Sequence, residues 1–365
     1  MTETISHTDM PIPHPALQTR MCQLFGVRYP IVQTGMGWVA GPRLTAATAN
    51  AGGLGLLGSS TMTYEQLEAA LDEVQARTAN PFGVNLRADA VDAERRVRLL
   101  IERGVKVASF ALAPKQALIA MLKEAGVAVV PSIGARRHAE KVAAWGADAV
   151  VVQGAEGGGH TGRVPTSLLV PQVVDAVDIP VIAAGGYFDG RGLVAARAYG
   201  AAGIAMGTRF LLTRDNAVPE SIKSHYLQAT VDDTVVTAQV DGVPQRLLRT
   251  PLVDDIMSGK ARTRFVRAVR SAATFRRLSG ASWSDFVREG VSMRRSHELA
   301  WSQVVLAANT PMLLRSAMVE GRTDLGLLAT GQVVGLIEDL PSCAELIARI
   351  IGQANDVLAG LTAQT

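Results

Sequence analysis

Cysteine is nearly missing from this chain. Two occur in 365 residues, Cys22 and Cys343, far apart and in no ligand spacing. That excludes a disulfide framework and a structural zinc site, and fits a reducing cytoplasm. Aromatic residues are also scarce, at 5%. No basic stripe interleaved with aromatics is present, so nucleic acid is not an expected partner. Charge of one sign is lacking too: the formal net charge is only +3. Basic residues concentrate modestly in 260–277 and at Arg294-Arg295, which reads as the wet face of a helix. No uninterrupted apolar run reaches the length that crosses a membrane. The stretch from Met1 to about Thr19 is polar and lacks the apolar core of a signal peptide. Residues 1–20 are expected to form a loose tail.

What is present is Ala, Val, Gly and Leu, within a chain that is 48% hydrophobic. This is the composition of a parallel-sheet enzyme with a large core. Short β-branched runs recur at Pro30–Met36, Gly53–Gly58, Phe82–Leu86, Val105–Phe110, Val127–Ile133, Ala149–Gln153, Pro180–Gly186 and Gly203–Gly207. Between them lie helical patterns at Tyr64–Thr78, Ala93–Arg103, Pro114–Glu124, Arg137–Trp145 and Gly190–Tyr199. Eight βα units in sequence predict an α/β fold, a closed (β/α)8 barrel over 21–215. An open doubly wound sheet is the alternative. Residues 216–312 are more polar and mostly helical in pattern, with one possible strand pair at Val235–Val243. They are too long for a connection and predict a smaller substrate or lid segment over the barrel mouth. Over 313–365, Gly326–Ile337 and Ala344–Leu358 predict helices that return to the barrel.

The stretch Gln153-Gly154-Ala155-Glu156-Gly157-Gly158-Gly159-His160-Thr161-Gly162 follows the buried run Ala149–Val152. Glycines such as Gly158 and Gly159 let backbone approach a ligand closely. His160 is placed by this pattern at the C-terminal end of a strand, where barrels keep their chemistry. A flexible loop with a solvated histidine is the bland reading. Ala183-Ala184-Gly185-Gly186 ends the seventh strand and Ala205-Met206-Gly207-Thr208-Arg209 the eighth. Loops in those two positions commonly hold a phosphate through backbone N–H groups. Simple turn geometry is the competing account. Gln33-Thr34-Gly35-Met36-Gly37-Trp38 ends the first strand and suits a flat ring against backbone, or equally a glycine turn with core Met and Trp. Asn85 ends an apolar strand, and its amide could serve a ring edge or a buried structural bond. Ala51-Gly52-Gly53-Leu54-Gly55 reads as a helix stop and tight turn; no helix follows it, so no dinucleotide fingerprint is present. His138 and His297 read as surface or capping residues.

These residues together resemble the nitronate monooxygenase family, formerly the 2-nitropropane dioxygenases. That family also includes flavin-dependent NADH:quinone reductases and flavin-type enoyl-ACP reductases. The resemblance rests on Pro30-Ile31-Val32-Gln33-Thr34-Gly35-Met36, Asn50–Gly55, Pro81-Phe82-Gly83-Val84-Asn85, Glu156–Gly162, Ala184-Gly185-Gly186 and Met206-Gly207-Thr208-Arg209-Phe210. It covers nearly the whole chain after about residue 21. Gly37 and Ser132 stand where the quinone reductases have Gln and Lys. Pro131-Ser132 and Trp38-Val39-Ala40 look more like the enoyl reductases, while Asp324 through Ile337 resembles the quinone reductases again.

The resemblance implies FMN across the C-terminal mouth of the barrel. Backbone around Gly185, Gly186, Gly207 and Thr208 would hold its phosphate, with Ala184 and Met206 beside them. Thr34, Gly35, Met36 and Asn85 would orient the ring, with Ser132, Gln153, Gly158 and Gly159 nearby. His160 would act as base or hydrogen-bond donor. The implied activity is oxidation of nitronates or nitroalkanes with dioxygen to a carbonyl compound and nitrite. The alternative is an NAD(P)H-dependent reductase of an enoyl thioester or quinone. A non-catalytic flavin-binding protein is the remote alternative. The substrate is a small molecule in either enzymatic case, and the oligomeric state stays open.

Overall fold

A computed structural model describes residues 10–258, 301–324 and 326–363. The basic stretch 260–277, Arg294-Arg295 and His297 lie outside the described residues. The chain divides into two compact units. The larger comprises Met1–Gly157, Gly162–Ala217 and Ile337–Thr365, and the smaller Gly158–Thr161 and Val218–Leu336.

The larger unit is a closed barrel of eight parallel strands. They are β1 (Ile31–Gln33), β2 (Leu54–Gly58), β3 (Gly83–Arg87), β4 (Val107–Ala111), β5 (Ala128–Ile133), β6 (Val150–Gln153), β8 (Val181–Ala184) and β9 (Gly203–Met206). β9 closes on β1, with Gln33 opposite Met206. The missing number, β7 (Gly159–His160), belongs to another sheet. Side chains alternate along a strand, and this alternation sorts the strand residues into an inward and an outward set. Val32, Leu54, Leu56, Val107, Val130, Val151, Ile182 and Ala205 share one apolar cluster. Their neighbours of opposite parity pack outward into two others, among them Val84, Ala108 and Val129 in one and Val150, Val152, Ala183 and Ile204 in the other. The first cluster is therefore the barrel interior. Eight strands leave an interior just wide enough for side chains to fill, so Ala and Gly recur there and the low aromatic content follows. A Cβ on Gly83 would lie 2.6 Å from the Leu56 side chain.

The surrounding helices start where capping residues supply acceptors. Thr63 and Gln66 form a capping box at the head of Tyr64–Arg77. Ser342 and Glu345 do the same for Cys343–Thr362, which buries Leu346, Ile347, Ile350 and Ile351 in an outer cluster. Loss of such a cap typically costs about 0.5–2 kcal/mol. Thr63→Ala is expected to lower unfolding free energy by about 1 kcal/mol without changing activity; parallel denaturant titrations check this.

Residues 10–20 are not a loose tail. Leu17 is fully buried. Asn355 accepts from the His14 backbone N–H at 2.8 Å and donates to the Ile12 carbonyl at 2.8 Å. The Tyr29 hydroxyl donates to the Pro11 carbonyl. Local polarity hides these anchors because their partners lie far along the chain.

The smaller unit holds a three-stranded antiparallel sheet in the order β10 (Thr234–Thr237), β11 (Gln245–Leu248), β7. The strand pair expected at Val235–Val243 thus exists with its second strand further on, at Gln245–Leu248, and a third strand added. Helices Glu220–Leu227, Pro251–Met257 and Trp301–Met318 belong to this unit. The helix expected over Gly326–Ile337 is instead an extended stretch with a bridge from Leu247 to Ala329, then a short 3-10 turn at Gln332–Leu336. A Cβ on Gly335 would lie 2.1 Å from the Val231 backbone nitrogen, so packing rather than helical periodicity governs this segment. No helix among the described residues is long and apolar enough to cross a membrane.

Candidate active site

At the C-terminal ends of the barrel strands the interior parity changes from apolar to polar. Continuing the alternation past Val32, Val130 and Val151 gives Thr34, Ser132 and Gln153. Asn85 and Ser109 follow Gly83 and Val107 in the same way. Ala184 ends the interior row of β8, and Gly207 follows Ala205. One ring of positions at the barrel's end therefore contains Thr34, Asn85, Ser109, Ser132, Gln153, Ala184 and Gly207. Asn85 is 9% exposed and donates through Nδ2 to Ser109 Oγ at 3.2 Å. Gly35 is required beside it, since a Cβ there would lie 2.2 Å from the Asn85 Cβ. The Thr34 backbone N–H donates to the Met206 carbonyl, and a Cβ on Gly207 would meet Thr34 Oγ1 at 3.2 Å and Met36 Sδ at 3.3 Å. The Met206 side chain itself packs in the outer cluster, with Met36 against that cluster. Any role of Met206 toward a ligand thus falls to its backbone.

The two glycine strand ends differ in geometry. Gly185 and Gly186 both have positive φ, +101° and +82°, a region L side chains seldom adopt. A Cβ on Gly186 would meet only the Glu156 side chain, at 3.6 Å or more. Glu156 is committed elsewhere: its carboxylate accepts from the Thr166 N–H at 3.0 Å and from Thr166 Oγ1 at 2.7 Å. Thr166 Oγ1 also lies 3.1 Å from the Gly185 carbonyl. The charged residue of the glycine-rich motif is therefore a brace between the loops after β6 and β8. Gly207 precedes the one-turn helix Thr208–Leu211 with no side-chain cap, so its first N–H groups take no side-chain partner at Gly207. Arg209 turns away from this end. It is 3% exposed, pairs with Asp339 at 2.9 Å and donates to the Leu212 carbonyl. Burial lowers its pKa and Asp339 opposes the shift.

His160 is not at the end of a barrel strand. β6 stops at Gln153, and His160 lies seven positions on, in β7, paired with Gln245 of β11. Gly158, beside it, allows close approach to the Thr330–Gly331 backbone, and Gly159 holds φ +64°. His160 Nε2 lies 2.7 Å from Asp241 Oδ2. The imidazole is 59% exposed and the carboxylate 14%. A carboxylate only accepts, so Nε2 donates in this contact. Asp241 Oδ1 accepts from the Val243 N–H at 3.1 Å, which fixes the carboxylate in the β10–β11 connection.

Asp241 is the functional candidate that sequence reading misses. Asp241-Gly242 is a turn signal inside the expected strand pair, but nothing local links it to a histidine 81 positions away. Two further features also escape the sequence. Trp38 and Leu112, after β1 and β4, hold φ of +64° and +92°. Non-glycine residues in that region are strained, and such strain clusters at functional sites. In the small sheet, Gln245 is 3% exposed, yet its Nε2 has no hydrogen-bond partner among the described residues. A buried donor left unpaired costs about 1–3 kcal/mol.

The sequence profile described as nitronate monooxygenase matches residues 18–95 and 89–353. The chain belongs to the nitronate monooxygenase family. It is accordingly an oxidoreductase. A relative in Mycobacterium tuberculosis, named (3aS,4S,5R,7aS)-5-hydroxy-7a-methyl-1-oxo-octahydro-1H-indene-4-carboxyl-CoA dehydrogenase, is 62% identical over 338 residues, covering 92% of this chain and 95% of that one. A probable nitronate monooxygenase of Staphylococcus saprophyticus is 32% identical, covering 81% of this chain and 99% of that one. Among solved structures, FabK from Thermotoga maritima superposes with a TM-score of 0.77 at 34% identity, covering 95% of this chain and 99% of that one.

Proposed function

We propose that the protein is an FMN-dependent dehydrogenase of a bicyclic, ring-hydroxylated acyl-CoA thioester. The observation that carries this reading is the 62% identity, over nearly the full length of both chains, to a dehydrogenase of that substrate class. The thioester alternative within the family thereby outweighs nitronate oxidation, whose named relative is 32% identical.

The barrel residues fit FMN. The polar ring of Thr34, Asn85, Ser132 and Gln153 offers donors and acceptors for a ring edge, with Gly35 and Met36 leaving backbone beside it. Gly185, Gly186, Gly207 and Thr208 offer backbone for a phosphate: a Cβ on Gly186 would make only ordinary contact with the Glu156 side chain, and the Glu156 carboxylate is committed to Thr166. No adenosine-binding dinucleotide fingerprint accompanies them, which favours FMN over FAD. Bound flavin would supply the two-electron acceptor that no side chain can provide.

The protein's own part is proton handling. A thioester carbonyl acidifies the C–H next to it, and dehydrogenation begins with loss of that proton. His160 would take it, while Asp241 holds the ring's orientation and stabilises the imidazolium that forms. General-base assistance of this kind is typically worth about 10²–10⁴-fold. NAD(P) or dioxygen would serve as co-substrate.

The test is anaerobic mixing of the flavin-loaded protein with the bicyclic thioester, with NADH, with NADPH and with a nitronate. Rapid bleaching by the thioester, with a product two hydrogens lighter by mass, is expected. Bleaching by the nitronate and not by the thioester would overturn the proposal in favour of the monooxygenase reading that the family name supports.

A further inference from the structure

We infer that Gln245 is a specificity-determining residue whose carboxamide reads the ring hydroxyl of the substrate. The inference rests on the acyl-CoA reading above. Thr237, Gln245 and His160 are directly opposite one another across β10, β11 and β7. Residues opposite in an antiparallel ladder project from the same face with Cβ atoms roughly 4.5–5.5 Å apart. One polar row therefore runs from buried Thr237 through buried Gln245 to exposed His160. Thr237 Oγ1 is engaged by the Gln239 N–H at 3.1 Å, and His160 by Asp241 at 2.7 Å. Gln245 between them is 3% exposed, and its amide makes no hydrogen bond with any described residue.

An apolar residue would suit that position better if packing were its only task. The next inward residue of the same face, Leu247, is fully buried in the small unit's own core. A retained amide beside the His160–Asp241 pair points to a ligand group that both gives and receives a hydrogen bond. A thioester carbonyl only accepts. A ring hydroxyl does both, matching the two ends of a carboxamide. The hydroxyl lies on the carbon adjacent to the one that bears the thioester in the relative's substrate. One side chain next to the base could therefore check the hydroxyl while His160 serves the neighbouring C–H.

The experiment compares the hydroxylated bicyclic thioester with its 5-deoxy counterpart on wild type, Gln245→Leu and Gln245→Glu. Binding is read by titration calorimetry, turnover by product mass, and folding by thermal melts. Wild type is expected to bind the hydroxylated thioester roughly ten-fold more tightly than the deoxy compound. Gln245→Leu should bind both alike, keep turnover of the deoxy thioester, and melt no lower than wild type, because an unpaired buried amide has been replaced by an apolar side chain of similar size. Gln245→Glu, which still accepts, should keep part of the preference. A Gln245→Leu protein that retains the wild-type ratio, or that melts well below wild type, overturns the assignment while leaving the acyl-CoA reading intact. Wild type that neither binds nor oxidises either thioester overturns both.

Discussion

His160→Ala is expected to fold, to retain flavin and to lose turnover of the thioester by roughly 10²–10⁴-fold. Folding should be spared because the imidazole is 59% exposed and fills no core position. Flavin should be spared because His160 is not among the residues proposed to hold it. Asp241→Asn tests the same pair from the other side. An amide in place of the carboxylate still accepts from Nε2 but no longer stabilises the imidazolium, so a smaller loss is expected. A merely structural histidine would move melting temperature and leave turnover at saturating substrate alone. An alanine variant within a few-fold of wild type would remove His160 from the mechanism.

Gly207→Val is expected to abolish flavin binding in a protein that still folds. The backbone there has φ −101°, outside the left-handed region that favours glycine. The effect is then steric: even a Cβ would stand 3.2 Å from Thr34 Oγ1 and 3.3 Å from Met36 Sδ, and the branched methyls reach further. Gly186→Val should lose flavin too, but at φ +82° it also carries a conformational cost of about 1–2 kcal/mol. Comparing the two separates occlusion of the cradle from backbone strain. The measurements are flavin-to-protein absorbance ratio, reconstitution with added FMN, identification of the released cofactor, and circular dichroism. A Gly207→Val protein with full flavin content would move the phosphate away from β8 and β9. Released FAD in place of FMN would overturn the cofactor assignment.

The sequence by itself determined the eight βα units, because their signal is local and repeated; closure of the sheet, β9 against β1, was decided by the fold. Each strand is a short apolar run bounded by turn residues, and eight such runs alternate with helical periodicity. Of the polar ring, Asn85 was legible from its own run, as an amide ending an apolar strand; Thr34, Ser132 and Gln153 came with the family resemblance. The glycines of β8 and β9 were visible as composition, though their positive φ at Gly185 and Gly186 was not. Only the tertiary structure decided the rest. β7 is two residues long and flanked by glycines, too short to carry a period, so its pairing with β11 follows from where the chain folds. Asp241 became a partner of His160 only when the β10–β11 connection returned beside it. Gln245 lies beyond the strand pair expected at Val235–Val243, and its burial with Nε2 unpartnered appeared only in the folded sheet. Side-chain periodicity is a property of neighbours along the chain, whereas a hydrogen bond across 81 residues is a property of the assembled fold.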